Sequence, residues 1–220
     1  MPHRSSGSAP DRWFVLGTGR CGTTALARAL SAAVAAAGLG WTVGHESRAH
    51  VYGLGARLDY PACHVEADNR LCFFLGALAA RHPTAGYVHL TREPEAVARS
   101  LTRLSWGPPR RPSPHGIMPA FAGRIVRAEA PPGPARLAAA RMYVEATTAN
   151  VADFLARREA EGRAVLRMRV EEPAAELAAL WGALGGSADD PALAHALHTR
   201  DTRGREDTAP HLQAPIAAAA

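Results

Sequence analysis

Short apolar runs alternate with longer amphipathic or Ala/Leu-rich stretches through most of this sequence. Residues 13–16, 41–44, 64–67, 86–91 and 163–170 are apolar, β-branched or aromatic runs too short for helices, and they read as strands. Between them, residues 23–37, 93–104, 135–160 and 173–184 carry strong helix formers, with Gly38 and Gly185-Gly186 as stop signals and Pro94 at a helix start. Asp68 or Asn69 is placed to cap a further helix running to about Arg81, and residues 189–198 read as a last short helix. Strands alternating with helices predict an α/β fold of three layers, a central parallel sheet with helices on both faces. The domain is expected over residues 12–198, between a Ser/Gly/Pro-rich leader (1–11) and a polar, then Ala-rich tail (199–220), both expected to be mobile. Residues 47–63 show little periodicity and read as loop. The Pro/Gly/Arg-rich excursion 105–134 is too long for an ordinary connection and suits a lid.

The junction of the first strand and first helix carries the most chemistry. Phe14-Val15-Leu16 leads into Gly17-Thr18-Gly19-Arg20-Cys21-Gly22-Thr23-Thr24, a Gly-rich strand-to-helix turn. Such a P-loop-like turn aims backbone N–H groups at an anion held on the helix N-terminus. Gly17 and Gly22 have the spacing of G-x-x-x-x-G-K-[ST], but Thr23 stands at the lysine position. The sequence contains no lysine, so all 25 of its Lys+Arg residues are arginines and the cation of the loop is Arg20. Ordinary ATP or GTP hydrolysis is therefore disfavoured.

Composition narrows the choice modestly. A length of 220 residues with 47% hydrophobic and 20% charged residues is enough for one buried core. The net charge of +5 suits an anionic ligand, while the arginines are scattered and not interleaved with aromatics, which argues against nucleic acid. Cys21, Cys63 and Cys72 have neither metal nor disulfide-framework spacing, and no stretch has the length and apolarity of a membrane span or targeting signal. A reduced, cytoplasmic protein is the expectation. His45, Glu46 and His50 miss the H-E-x-x-H zinc spacing by one residue, and no metal is expected.

A second constellation follows the strand 86–91. Arg92 leaves its end and Ser100 lies about two turns along the next helix, a fork and a hydroxyl able to bracket a phosphate monoester. A nucleotidase of the Walker type would instead need an acid at a strand end to help hold magnesium, and the strand before Arg92 offers Thr91 and then a cation.

Taken together, these residues resemble PAPS-dependent sulfotransferases, in particular bacterial members. Arg20-Cys21-Gly22-Thr23-Thr24 is similar to their [KR]-S-G-T-T loop for the 5′-phosphosulfate of 3′-phosphoadenosine 5′-phosphosulfate (PAPS), with Cys21 in place of the serine. Arg92 and Ser100 resemble their 3′-phosphate motif, and residues 165–173 are like a degraded R-x-E-D-L region. The resemblance implies that Gly19, Arg20, Cys21, Gly22, Thr23 and Thr24 hold the phosphosulfate and that Arg92 and Ser100 grip the 3′-phosphate. Arg20 would stabilise charge on the bridging oxygen during in-line transfer to a hydroxyl or amine of a small-molecule, lipid or sugar acceptor, leaving PAP. A general base is expected after the second strand, where Glu46 and His45 compete and the resemblance favours Glu46. Other readings remain open: a lysine-free phosphotransferase using ATP and magnesium, a non-catalytic nucleotide-binding scaffold, and a phosphatase with Cys21 as an activated nucleophile. Asp68-Asn69-Arg70 reads as a helix start beside the cleft, and Arg110-Arg111 as surface charge.

Overall fold

The computed structural model describes residues 9–103, 117–126 and 133–193. Five parallel strands form one sheet: β1 (Arg12–Leu16), β2 (Thr42–His45), β3 (His64–Ala67), β4 (Gly86–Thr91) and β5 (Val165–Arg169), in the order β2-β3-β1-β4-β5. β1 lies in the middle, with Trp13 opposite Val65 on one side and Gly86 on the other. Its alternate side chains enter two different cores, so a run without polar residues is what its place requires. Trp13 and Val15 face one layer, Phe14 and Leu16 the other.

The first layer is α1 (Thr23–Ala36) and α7 (Ala174–Ala183), which bury Leu30, Val34, Leu177, Leu180 and Trp181 against the sheet. On the opposite face lie α3 (Leu75–Arg81) and the long α6 (Gly133–Ala160), contributing Leu78, Val151, Phe154 and Leu155. The three-layer α/β architecture expected from the sequence is present. α4 (Pro94–Thr102) packs outside, on α6, together with α5 (Ile117–Ala120) and the π-helical turn Phe121–Ile125; Met118, Phe121, Ala140 and Tyr143 form their shared core. That part of the 105–134 excursion is packed structure. The rest of the expected lid, Arg110-Arg111, residues 1–8 of the leader, the end of the last helix and the tail lie outside the described residues.

Two segments depart from expectation. Within 47–63 a helical turn, α2 (Leu54–Arg57), forms and buries Arg57. The helix expected from Asp68 to Arg81 is broken in two: a 3-10 helix, Asn69–Phe73, capped by the Asp68 carboxylate through Arg70 N–H, and then α3. No helix among the described residues is long and apolar enough to cross a membrane.

The chain leaves β1 through α1 toward β2 and later leaves β4 toward β5, so the connections diverge between β1 and β4. In a parallel sheet, a crevice opens beyond the strand ends at such a point.

Candidate functional site

The β1–α1 loop lies at that crevice. Gly22 is the N-cap of α1 at φ 103°, a left-handed conformation that glycine adopts without penalty, and it brings no capping side chain. The first turn of α1 holds no acidic residue either. The leading N–H groups of a helix have no intrahelical acceptor, and the helix dipole places partial positive charge there. The N-terminus of this 14-residue helix thus has the polarity to attract negative charge. The Thr23 and Thr24 hydroxyls stand at the same end, Thr23 buried and Thr24 exposed.

Two arginines converge on this loop from different strands. Arg20 sits at φ 69°, and its Nε donates to Ser100 Oγ on α4 at 3.0 Å. Arg92, just beyond β4, directs Nη1 to the Arg20 carbonyl oxygen at 3.4 Å. Arg20, Arg92 and Ser100, distant in sequence, thus form one cluster at one end of the sheet. Beside it, a cleft of about 290 Å³ is lined by Thr18, Thr91, Arg92, Val144, Thr148 and Arg169, among others.

The other flank comes from β2 and β3. His45 ends β2, and its Nε2 lies 3.1 Å from Thr24 Oγ1 and 3.4 Å from Thr23 Oγ1. Glu46 follows at φ 51° and turns its carboxylate away from those hydroxyls to pair with Arg70, Nη1 to Oε2 2.5 Å. The two candidate bases are therefore in different situations: His45 touches the loop, and Glu46 shares an oxygen with a guanidinium.

The sequence placed Asn69 and Arg70 only in a helix start flanking the cleft and gave Tyr143 no role. Asn69 packs so close to Gly19 that a β-carbon there would meet Asn69 Nδ2 at 2.8 Å, and Asn69 Oδ1 is buried without a hydrogen-bond partner among the described residues. Tyr143 on α6 accepts a hydrogen bond from Gly19 N–H at 3.3 Å, and burial pushes its hydroxyl pKa up to about 12. A polar residue just after a strand next to β1 would have pointed to Asn69. Nothing in the helical pattern of α6 singles out Tyr143.

Two points bear on the alternative readings. Cys21 was expected to have a lowered pKa if it served as a nucleophile. Its side chain is wholly buried in the core under the loop, and burial raises the thiol to about 12 despite its bond with Thr18. Cys21 is therefore not placed to act as an accessible thiolate nucleophile. The second concerns the missing acid. Asp68 stands directly after β3, the strand next to β1, so a strand-end carboxylate does exist. It is engaged, however: Arg57 pairs with one oxygen, and Arg70 N–H donates to the other at 2.7 Å. No group of three or more possible metal-ligating side chains occurs among the described residues.

Fold and site together define a three-layer α/β protein in which Arg20, Arg92, Ser100 and His45 gather around the β1–α1 loop. Comparisons with family models, with curated proteins and with solved structures return no match for this chain.

Proposed function

We propose that the protein is a sulfotransferase that binds PAPS across the carboxyl edge of its sheet and passes the sulfuryl group to a hydroxyl or amine of a small acceptor. One observation carries this reading: Arg20, Arg92 and Ser100 meet beside an uncapped helix N-terminus, while His45 reaches the same loop from the other side. Across the edge the order is β2, β3, β1, β4, so the β1–α1 loop lies between His45 on one side and Arg92 on the other. A carrier with two separated anionic ends suits such a layout better than a single phosphate does.

In this reading the 3′-phosphate lies on Arg92 and Ser100, and the nucleoside extends toward the cleft lined by Thr148 and Arg169. The 5′-phosphosulfate rests on the N–H groups and hydroxyls of Gly22, Thr23 and Thr24. Cys21 contributes its backbone N–H alone, because its thiol is turned into the core. Sulfuryl transfer forms a bond from the acceptor oxygen or nitrogen to sulfur and breaks the bond from sulfur to the bridging oxygen. Arg20 offsets the charge left on that oxygen. The acceptor's proton goes to the β2 turn, where the sequence favours Glu46 and the contacts favour His45.

The test is calorimetry with adenosine 3′,5′-bisphosphate (PAP) and 5′-AMP. PAP should bind at least about tenfold more tightly, since one charge-assisted contact contributes roughly 1.5–3 kcal/mol. Arg92→Ala should remove most of that preference with little effect on AMP. Equal affinity for the two nucleotides would refute the reading, and magnesium-dependent ATP binding would favour the phosphotransferase instead.

A further inference from the structure

Beneath the turn that carries His45 and Glu46 lies a carboxylate with no counterpart in the proposed chemistry. Glu66, on β3, is 0% exposed. One oxygen accepts a hydrogen bond from Ser47 N–H at 2.8 Å, and the other from Ser47 Oγ at 2.6 Å. The second oxygen also lies 3.0 Å from His64 Nε2, and His64 Nδ1 in turn lies 2.8 Å from Thr42 Oγ1 on β2. The His64 ring is stacked on Tyr60, with centroids 5.6 Å apart.

The backbone above is shaped around this carboxylate. Gly44 lies directly over Glu66 Oε2, and a β-carbon at that position would overlap it. Glu46, two residues on, takes φ 51°, and its N–H donates to Ala67 O at 3.2 Å. The chain thus passes over Glu66 at Gly44, carries His45 and Glu46 past it, and is tied back to it at Ser47.

A buried carboxylate without donors is strongly unfavourable, so its burial is coupled to whatever supplies them. Here the turn supplies two of the three contacts. We propose that Glu66 is the positioning residue of this turn: it fixes the conformation that sets His45 Nε2 against the Thr23 and Thr24 hydroxyls and leaves the Glu46 side chain at Arg70. It is too deep to touch a carrier or an acceptor, and it acts through Ser47. The proposal rests on the reading of His45 and Glu46 as the base-bearing residues, but its central claim concerns the geometry of the turn.

The experiment compares Glu66→Ala, Glu66→Gln and Ser47→Ala in the full chain by NMR of the His45 imidazole, with PAP titrated by calorimetry. In Glu66→Ala the His45 signals should shift toward those of a free imidazole, while PAP affinity stays within about twofold of the parent because the Gly17–Thr24 loop is untouched. Glu66→Gln keeps the shape and an acceptor for Ser47 N–H, and should restore the signals largely. Ser47→Ala changes an exposed residue and should give a smaller shift in the same direction, so the claim stays testable if Glu66→Ala does not fold. His45 signals unchanged in Glu66→Ala and Ser47→Ala would overturn the proposal. So would their displacement together with an equal loss of PAP binding, since the turn would then not be a separate unit. If the parent protein binds no PAP, the sulfotransferase reading falls, and the His45 signals alone decide the role of Glu66.

Discussion

At Gly22 a backbone angle and a close neighbour act together. Any side chain at φ 103° is strained, and a β-carbon would lie 2.8 Å from Val170 Cγ2. Gly22→Ala should cost about 1–3 kcal/mol, measured by urea unfolding, and should also weaken anion binding. The cysteines give a second check. Cys63 is exposed, whereas burial raises Cys21 and Cys72 to about 12. A thiol reagent should therefore label Cys63 first in the native protein, the half-buried Cys72 more slowly, and Cys21 only on unfolding; early labelling of Cys21 would mean that the loop opens. Gly22, Thr23 and Arg92 were legible in the sequence because glycine spacing and strand-end position depend on local chain geometry. The inward turn of Cys21, the approach of Asn69 to Gly19 and the Tyr143 bond were not, because each depends on how separate elements pack.

α7 shows how much one helix can depend on a single ring. Trp181 is fully buried among α1, α7 and the sheet, and its indole N–H donates to Ser187 O at 3.0 Å. Trp181→Ala should destabilise the protein by about 3–5 kcal/mol in denaturant titration, with the fold of the remaining sheet retained. β3 and β4 fall where the apolar runs place them, since both are flanked by clear punctuation. The segment after β3 was harder to read. Asp68 and Asn69 were both candidates for the cap, and Asp68 fills it, but the following turn tightens into a 3-10 helix while the same carboxylate also receives Arg57 from α2. α2 itself has no periodic signature; its buried arginine is held by Asp68 and by Tyr60, whose hydroxyl accepts from Nη1 at 2.7 Å. Such a segment is organised by a charge pair distant in sequence, and a local pattern does not contain it.

Global stability should vary with pH through His89 on β4. Burial, with Arg167 adding to it, lowers this imidazole to about 4 from 6.5, and its Nε2 has no hydrogen-bond partner among the described residues. The unfolded chain then takes up a proton that the folded one resists, so the contribution is fully present above pH 6.5 and lost as pH falls through 4. The loss should reach about 3 kcal/mol at most, and His89→Leu should flatten that part of the profile in urea titrations at several pH values. Alternation of strands and helices was enough to give the layers, but the order of strands in the sheet was not legible, because any order with short right-handed crossovers is compatible with the same alternation. That order has a consequence for biosynthesis. β1 emerges from the ribosome before the other four described strands, yet its hydrogen-bonding neighbours are β3 and β4, so one edge stays open until β3 is made and the other until β4. Apolar strands with free edges invite association with other chains. Nascent chains halted before residue 86 should therefore be prone to aggregate or be held by chaperones, and release should coincide with the arrival of β4.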